Sequence, residues 1–311
     1  MPEQIDVPLS TVEATYKARD VEGIVDLYFY RKIGFLLAQF FAGLKMRPAA
    51  VTLLGGVFGI AAGHLYYYSD VRVNLLGMVL HVIANALDNA DGQLARLLNQ
   101  NSRIGRLIDS VVDQVIWIGI YLHLALRYVA QGGSSWIWLL AVAAGLSHGL
   151  QAAAADYCRN GYLYFVKGRS STDQDTSSAL RHDYRRLSWR GETWKKLLLL
   201  LYTNITRQQE MLSPALRRLQ ERVERDFPHE IPAWLRSRYR NHVRPMLKWW
   251  GLLMTNTRMF FLFFLFLMGT PAWFFWIELT VFNVLLTYLV LQQKEMLQSL
   301  LEFLDPRHQV A

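Results

Sequence analysis

Six apolar runs, at about residues 49–68, 71–94, 105–127, 134–157, 249–269 and 272–293, limit what this chain can fold into. Each can cross roughly 30 Å of hydrocarbon as a helix rising about 1.5 Å per residue. Polar turns separate them, with no strand-like alternation, so the expectation is an all-α polytopic membrane protein with six transmembrane helices. The hydrophobic fraction of 52% agrees. The N-terminus carries both signs of charge through Asp26, which is not the layout of a cleaved signal. Cys158 is the only cysteine, so an intrachain disulfide and a cysteine-based zinc site are excluded.

The composition divides the chain into four stretches. Residues 1–48 mix charges with Ile24, Leu27, Tyr28, Phe35, Leu36, Phe40 and Phe41, the pattern of an N-terminal interfacial segment. Residues 49–164 hold the first four spans. Residues 165–248 form a basic insert with apolar runs too short to span, expected as a helical region outside the bilayer. Within it, Trp194 to Tyr202 suits either the membrane surface or burial inside the insert. Residues 249–311 hold the last two spans and a tail.

Six spans place both termini, the insert and the turn after the second span on one side. The opposite loops contain little beyond Arg72 and Arg127, so the positive-inside rule puts that first side in the cytoplasm. A net charge of +8 then reflects basic loops facing membrane lipids, and nucleic-acid binding is not expected. Tryptophans 136, 138, 249, 250, 273 and 276 cluster at span ends as interfacial anchors. The first span carries Gly55, Gly59 and Gly63 at intervals of four, read as packing within the chain, with a dimer interface as the alternative.

Four aspartates interrupt this apolar sequence: Asp88 and Asp91 near the end of the second span, Asp109 and Asp113 at the start of the third. Ionised groups inside spanning segments are costly, and they read first as functional. Residues three or four apart share a helix face, so the short loop between the spans is expected to bring all four carboxylates together. An all-oxygen cluster suits Mg²⁺ or Mn²⁺, which share their shell with substrate phosphates. Gly92, Ala95 and Gly105 leave space beside the carboxylates, and Arg96 can meet an anion. Space, cations and an arginine fit a diphosphate.

Asp88, Asp91, Gly92, Ala95, Arg96, Gly105, Asp109 and Asp113 match every fixed position of D-x2-D-G-x2-A-R-x8-G-x3-D-x3-D. In this the chain resembles the CDP-alcohol phosphotransferase (CDP-alcohol phosphatidyltransferase) family, and the six-span layout and interfacial N-terminal segment are similar too. The resemblance implies a site for two ions of Mg²⁺ or Mn²⁺. Asp88 and Asp109 would bridge both ions, Asp91 would serve one, and Asp113 would serve the other while acting as general base. It also implies that Gly92, Arg96 and Ser102 contact the CDP portion. The family's upstream Pro-Asn-x2-Thr element is matched at Pro48 and Thr52, with Ala49 in place of asparagine. The implied partners are a CDP-linked lipid donor, most readily CDP-diacylglycerol, and a small polar alcohol acceptor in phospholipid biosynthesis, with a homodimer as the family's habit.

Two other readings compete: CDP-choline- or CDP-ethanolamine-type transfer to diacylglycerol, and a magnesium-dependent membrane prenyltransferase, against which the Gly-x2-Ala-Arg spacing argues. A non-catalytic scaffold is disfavoured by the intact aspartates. Asp156, Arg159 and Arg258 read equally as structural polar groups or as an acceptor pocket. His81 and His148 lack ligand spacing and are expected to be hydrogen-bonded helix residues.

Overall fold

The computed structural model describes residues 19–168, 176–189, 191 and 193–304. The first eighteen residues of the expected interfacial segment and the end of the tail lie outside these. Among the described residues the structure is helical with no strand, and six stretches are long and apolar enough to cross a membrane: Pro48–Leu65, Val71–Leu97, Arg103–Ala130, Ile137–Lys167, Ala233–Leu267 and Trp273–Phe303. The protein is therefore a multi-pass membrane protein. Its chain forms two compact units, Met1–Gly145 with Phe263–Ala272, and Leu146–Leu262 with Trp273–Ala311.

In the first unit, α1 (Arg31–Gly43), α2 (Pro48–Leu65), α3 (Val71–Leu97) and α4 (Arg103–Ala130) follow one another. Pro48 opens α2, where a missing N–H costs nothing. The Asp70 carboxylate accepts from Arg72 N to cap α3, and Ser102 Oγ accepts from Gly105 N to cap α4. Between them, Asn99 takes a left-handed φ of 51° while Gln100 N donates to Ala95 O at 2.8 Å. This closure ends α3 and turns the chain back within five residues, Leu98 to Ser102.

The glycines of α2 are where α3 and α4 approach it. A Cβ on Gly55 would lie 3.4 Å from Leu87 Cβ, one on Gly56 2.9 Å from Val112 Cγ1, and one on Gly59 2.5 Å from Ile116 Cδ1. On Gly63 it would lie 3.2 Å from the backbone nitrogen of Ile120. The glycine column thus serves packing within the chain: α2 is a wedge whose missing side chains set the spacing of the two aspartate-bearing helices. α1 lies on α3, with Ala38 and Phe41 packed among Val51, Leu87, Ala90 and Leu94, and Gln93 Nε2 donating to Arg31 O at 3.1 Å. Leu36 and Phe40 face outward from α1.

At the other end of the unit, Arg127 departs from the expectation of a loop residue. It is buried, and donates through Nη1 to Asn74 Oδ1 at 2.9 Å and to Tyr66 O at 3.3 Å, with its guanidinium 5.2 Å from the Phe266 ring centre. Asn74 in turn donates to Leu65 O and Tyr68 O. These two side chains satisfy carbonyls left open where α2 ends. His81 is hydrogen-bonded as expected, 3.2 Å from Tyr66 Oη.

The second unit is formed by the greater part of α5 (Ile137–Lys167), the insert helices α6 (Ser177–Arg186), α7 (Thr193–Leu212), α8 (Pro214–Asp226) and α9 (Ala233–Gly251), much of α10 (Thr255–Leu267), α11 (Trp273–Leu279) and α12 (Val281–Phe303). The insert is helical, and it packs on its neighbours. Leu216 of α8 fits beside Gly161, Tyr164 Oη donates to Glu224 at 3.0 Å, and the Phe165 and Tyr239 rings stack at 4.2 Å.

The fifth and sixth apolar stretches are interrupted, at Leu252–Met254 and at Thr280. Arg258, fully buried, pairs with Glu278 at 3.0 Å, donates to Gln151 Oε1 at 2.5 Å, and donates to Leu253 O at the first interruption. Gln151 donates to Glu278 O at 3.0 Å and to Asn283 Oδ1 at 2.9 Å beside the second. A broken helix in hydrocarbon must have its freed backbone groups satisfied by protein, and this cluster does that. Of the two readings of Arg258, the structural one holds. Asp156 accepts from Asn160 and from Gln209 of α7.

Candidate active site

Asp88 and Asp91 lie on one face of α3, and Asp109 opens the facing stretch of α4. The spacing set by Gly55 and Gly56 brings a carboxylate oxygen of each of Asp88, Asp91 and Asp109 within 4.8 Å of the others. Asp91 is buried, and Asp88 and Asp109 are half-buried. Asp113, one turn further along α4, is exposed and stands outside that group of three while remaining within electrostatic range of Asp88 and Asp91.

Three ionised carboxylates at this distance repel one another by about 3 kcal/mol per pair at an effective dielectric near 20. Asp91 Oδ2 and Asp109 Oδ1 are buried without a hydrogen-bond partner among the described residues. Unpaired buried acceptors and mutual repulsion are what a divalent cation relieves, and an all-carboxylate donor set suits Mg²⁺ or Mn²⁺. The residues present therefore fit a metal centre built on Asp88, Asp91 and Asp109.

The surroundings follow from local structure. Thr52, buried on α2 one turn before Gly56, donates to Pro48 O at 3.2 Å and stands within hydrogen-bond reach of Asp91. Gly92 lies beneath Arg96, whose guanidinium nitrogens are 3.6 and 3.7 Å from where a Cβ would be. At the start of α4, a Cβ on Gly105 would meet Ser102 Oγ at 3.0 Å. Ser102 thus has a structural task that sequence spacing did not assign it. A serine directly before a helical run, three residues ahead of a small residue, was the signal for that cap. Gly56 faces Val112 of α4, a position that the four-residue rhythm of Gly55, Gly59 and Gly63 does not mark.

Residues 45–160 match the family model described as CDP-alcohol phosphatidyltransferase. Among similar proteins, an uncharacterized protein of Aquifex aeolicus is 29% identical over 128 residues, covering 41% of this chain and 63% of that one. A protein of Mycobacterium bovis, provisionally named a cardiolipin synthase, is 38% identical over 56 residues, 18% of this chain and 27% of its own. A phosphatidylinositol phosphate synthase of Streptomyces avermitilis is 31% identical over 107 residues, 34% of this chain and 43% of its own. The chain thus spans between about a quarter and two thirds of the length of these relatives. The match encloses α2, α3, α4 and the carboxylate cluster. Residues 45–160 are accordingly a CDP-alcohol phosphatidyltransferase domain, of a family of transferases of substituted phosphate groups.

Proposed function

We propose that the protein transfers a phosphatidyl group from a CDP-linked donor, CDP-diacylglycerol, to the hydroxyl of a small polar alcohol, releasing CMP, at a site facing the cytoplasm. The observation that carries this reading is the group of three carboxylates with buried, unpartnered oxygens on Asp91 and Asp109, enclosed by the matched domain. The names of the mycobacterial and streptomycete relatives, both phospholipid synthases, support the product class.

Asp88, Asp91 and Asp109 would hold two ions of Mg²⁺ or Mn²⁺, with Asp113 contributing to the second. Such ions neutralise diphosphate charge and stabilise the charge that develops on the transferring group. Arg96, folded over the side-chain-free surface of Gly92, is placed to meet the nucleotide phosphate, and the Ser102 hydroxyl retains its proton for donation while its oxygen caps α4. Thr52 steadies Asp91 from α2. Asp113, exposed and apart from the group of three, is free to approach the acceptor and take its hydroxyl proton. The acceptor oxygen then forms a bond to the phosphorus carrying the diacylglycerol, the bond from that phosphorus to CMP breaks, and CMP leaves with its own phosphate.

The test is incubation of the purified protein with CDP-diacylglycerol, Mg²⁺ and a panel that includes glycerol 3-phosphate, serine, inositol and inositol phosphate. Stoichiometric CMP and one phosphatidyl product by mass are expected. CMP release with CDP-choline and diacylglycerol, but none with CDP-diacylglycerol, overturns the assignment of the donor.

A further inference from the structure

The insert helix α7 is built the wrong way round for a helix in water. Its buried positions are Lys196, Leu199, Thr203, Thr206 and Glu210, mostly polar, while Trp194, Leu197, Leu200 and Leu201 are each about half exposed. An amphipathic helix on a soluble domain does the opposite. Nor can α7 turn to hide its leucines, because bonds anchor the inner face. Lys196 Nζ donates to Leu187 O at 2.8 Å under the Tyr184 and Trp189 rings, and Glu210 accepts from Ser177 N, Ser177 Oγ and Arg217. The outward apolar face is therefore a fixed property of the unit.

Two observations say what covers it. Gln209 of α7 donates to Asp156 of α5 at 3.3 Å. Asp156 lies nineteen residues after Ile137, the first residue of α5 and next to the exposed Trp136, so about 29 Å of helix separates them, close to one hydrocarbon thickness. The bond thus places Gln209, in the last turn of α7, beside a point of α5 about one hydrocarbon thickness along the helix from its start. The second observation is chemical. Exposed Trp189 and Trp194, Lys195 beside the Trp194 ring, and exposed Arg185 and Arg186 at the end of α6 accompany the leucines. Tryptophan, leucine and basic residues together are the composition of a helix lying in an anionic lipid surface.

From this we infer that α7 is a monotopic membrane-surface helix, with Trp194, Leu197 and Leu201 inserted among lipid tails and the basic residues of α6 and α7 meeting anionic headgroups. The insert, outside the matched family domain, would then be a second membrane attachment of the protein.

Spin labels at Leu197→Cys, Leu201→Cys and, as a water-facing reference on α8, Arg218→Cys test this in full-length protein. The protein is reconstituted in nanodiscs of phosphatidylcholine and phosphatidylglycerol. Native Cys158 is buried, and wild type treated identically corrects for its labelling. The expected result is a several-fold preference for collision with oxygen over a water-soluble nickel chelate at 197 and 201, reversed at 218. Nickel access at 197 and 201 equal to that at 218 overturns the proposal. So does dipolar broadening at 197 or 201 that vanishes on dilution with unlabelled protein, which would make the face an interface between copies. Because the readout is immersion and not turnover, it stands apart from the proposed reaction.

Discussion

Replacing Asp109 by asparagine should stabilise the metal-free protein and weaken its response to metal. Asp109 takes part in two of the three carboxylate pairs within 4.8 Å, so Asp109→Asn removes up to about 6 kcal/mol of repulsion at an effective dielectric near 20. Asp88 and Asp109 are only half-buried, so solvent screens much of this and about 1–2 kcal/mol should remain. Mg²⁺ at a hundredfold excess over its dissociation constant should stabilise wild type by about 2.7 kcal/mol, and the variant by much less. At roughly 2–4 °C per kcal/mol, the order of melting temperatures should invert: variant above wild type in chelator, wild type level with or above variant in Mg²⁺. Loss of helical circular dichroism on heating the detergent-solubilised protein supplies the assay. A variant that melts below wild type in chelator and gains as much from Mg²⁺ would refute the electrostatic account of the cluster.

Asp113→Asn should abolish CMP release while leaving CDP-lipid binding largely intact; turnover near the wild-type rate would remove Asp113 as the base. Gly63→Leu should cost at least about 2 kcal/mol in the same melting assay, because its side chain would run into the backbone of α4 at Ile120, and turnover per folded molecule should fall as Asp109 is displaced. Glu278→Ala should cost about 3–5 kcal/mol by leaving Arg258 charged and buried, whereas Arg258→Met combined with Glu278→Leu should be far milder, with an unchanged acceptor KM in what folds. Ser102→Ala should lose about 1 kcal/mol of helix capping, which Ser102→Asn restores, so that donor KM measured in both variants separates capping from nucleotide contact.

Much of the fold was legible because hydrocarbon imposes simple rules: apolar runs of sufficient length, tryptophans at their ends and glycines where helices touch. Breaks in the last two spans were less legible. Gly251 is the single local cue before Leu252–Met254, and Thr280 has no proline or glycine beside it. Both interruptions are held by side chains whose partners lie far along the chain, Gln151 with Glu278 O and with the Arg258 guanidinium that bonds Leu253 O. The ionisable residue Glu278 inside an apolar run was the available signal, since such a residue calls for a partner. Arg127 was misplaced for a related reason: at a span end, an arginine reaching water and one clasping Asn74 look the same in one dimension.

The carboxylate site was legible in residue type and spacing, but its internal division was not. Helical periodicity makes Asp88 and Asp91 equivalent to Asp109 and Asp113, three and four residues apart on their respective faces. In the folded chain that symmetry is broken by α2, which a helical pattern on α3 and α4 cannot reveal. Gly55 and Gly56 admit Leu87 of α3 and Val112 of α4 against α2; in that packing carboxylate oxygens of Asp88, Asp91 and Asp109 come within 4.8 Å of one another, and Asp113 is exposed outside the group. Three carboxylates held against one another are suited to binding cations, and a fourth that is open to an incoming hydroxyl is suited to moving a proton. The same two glycines therefore set the packing of α3 and α4 against α2, and under the proposed function the aspartates differ in role, with Asp113 taking the proton as well as contributing to the second ion.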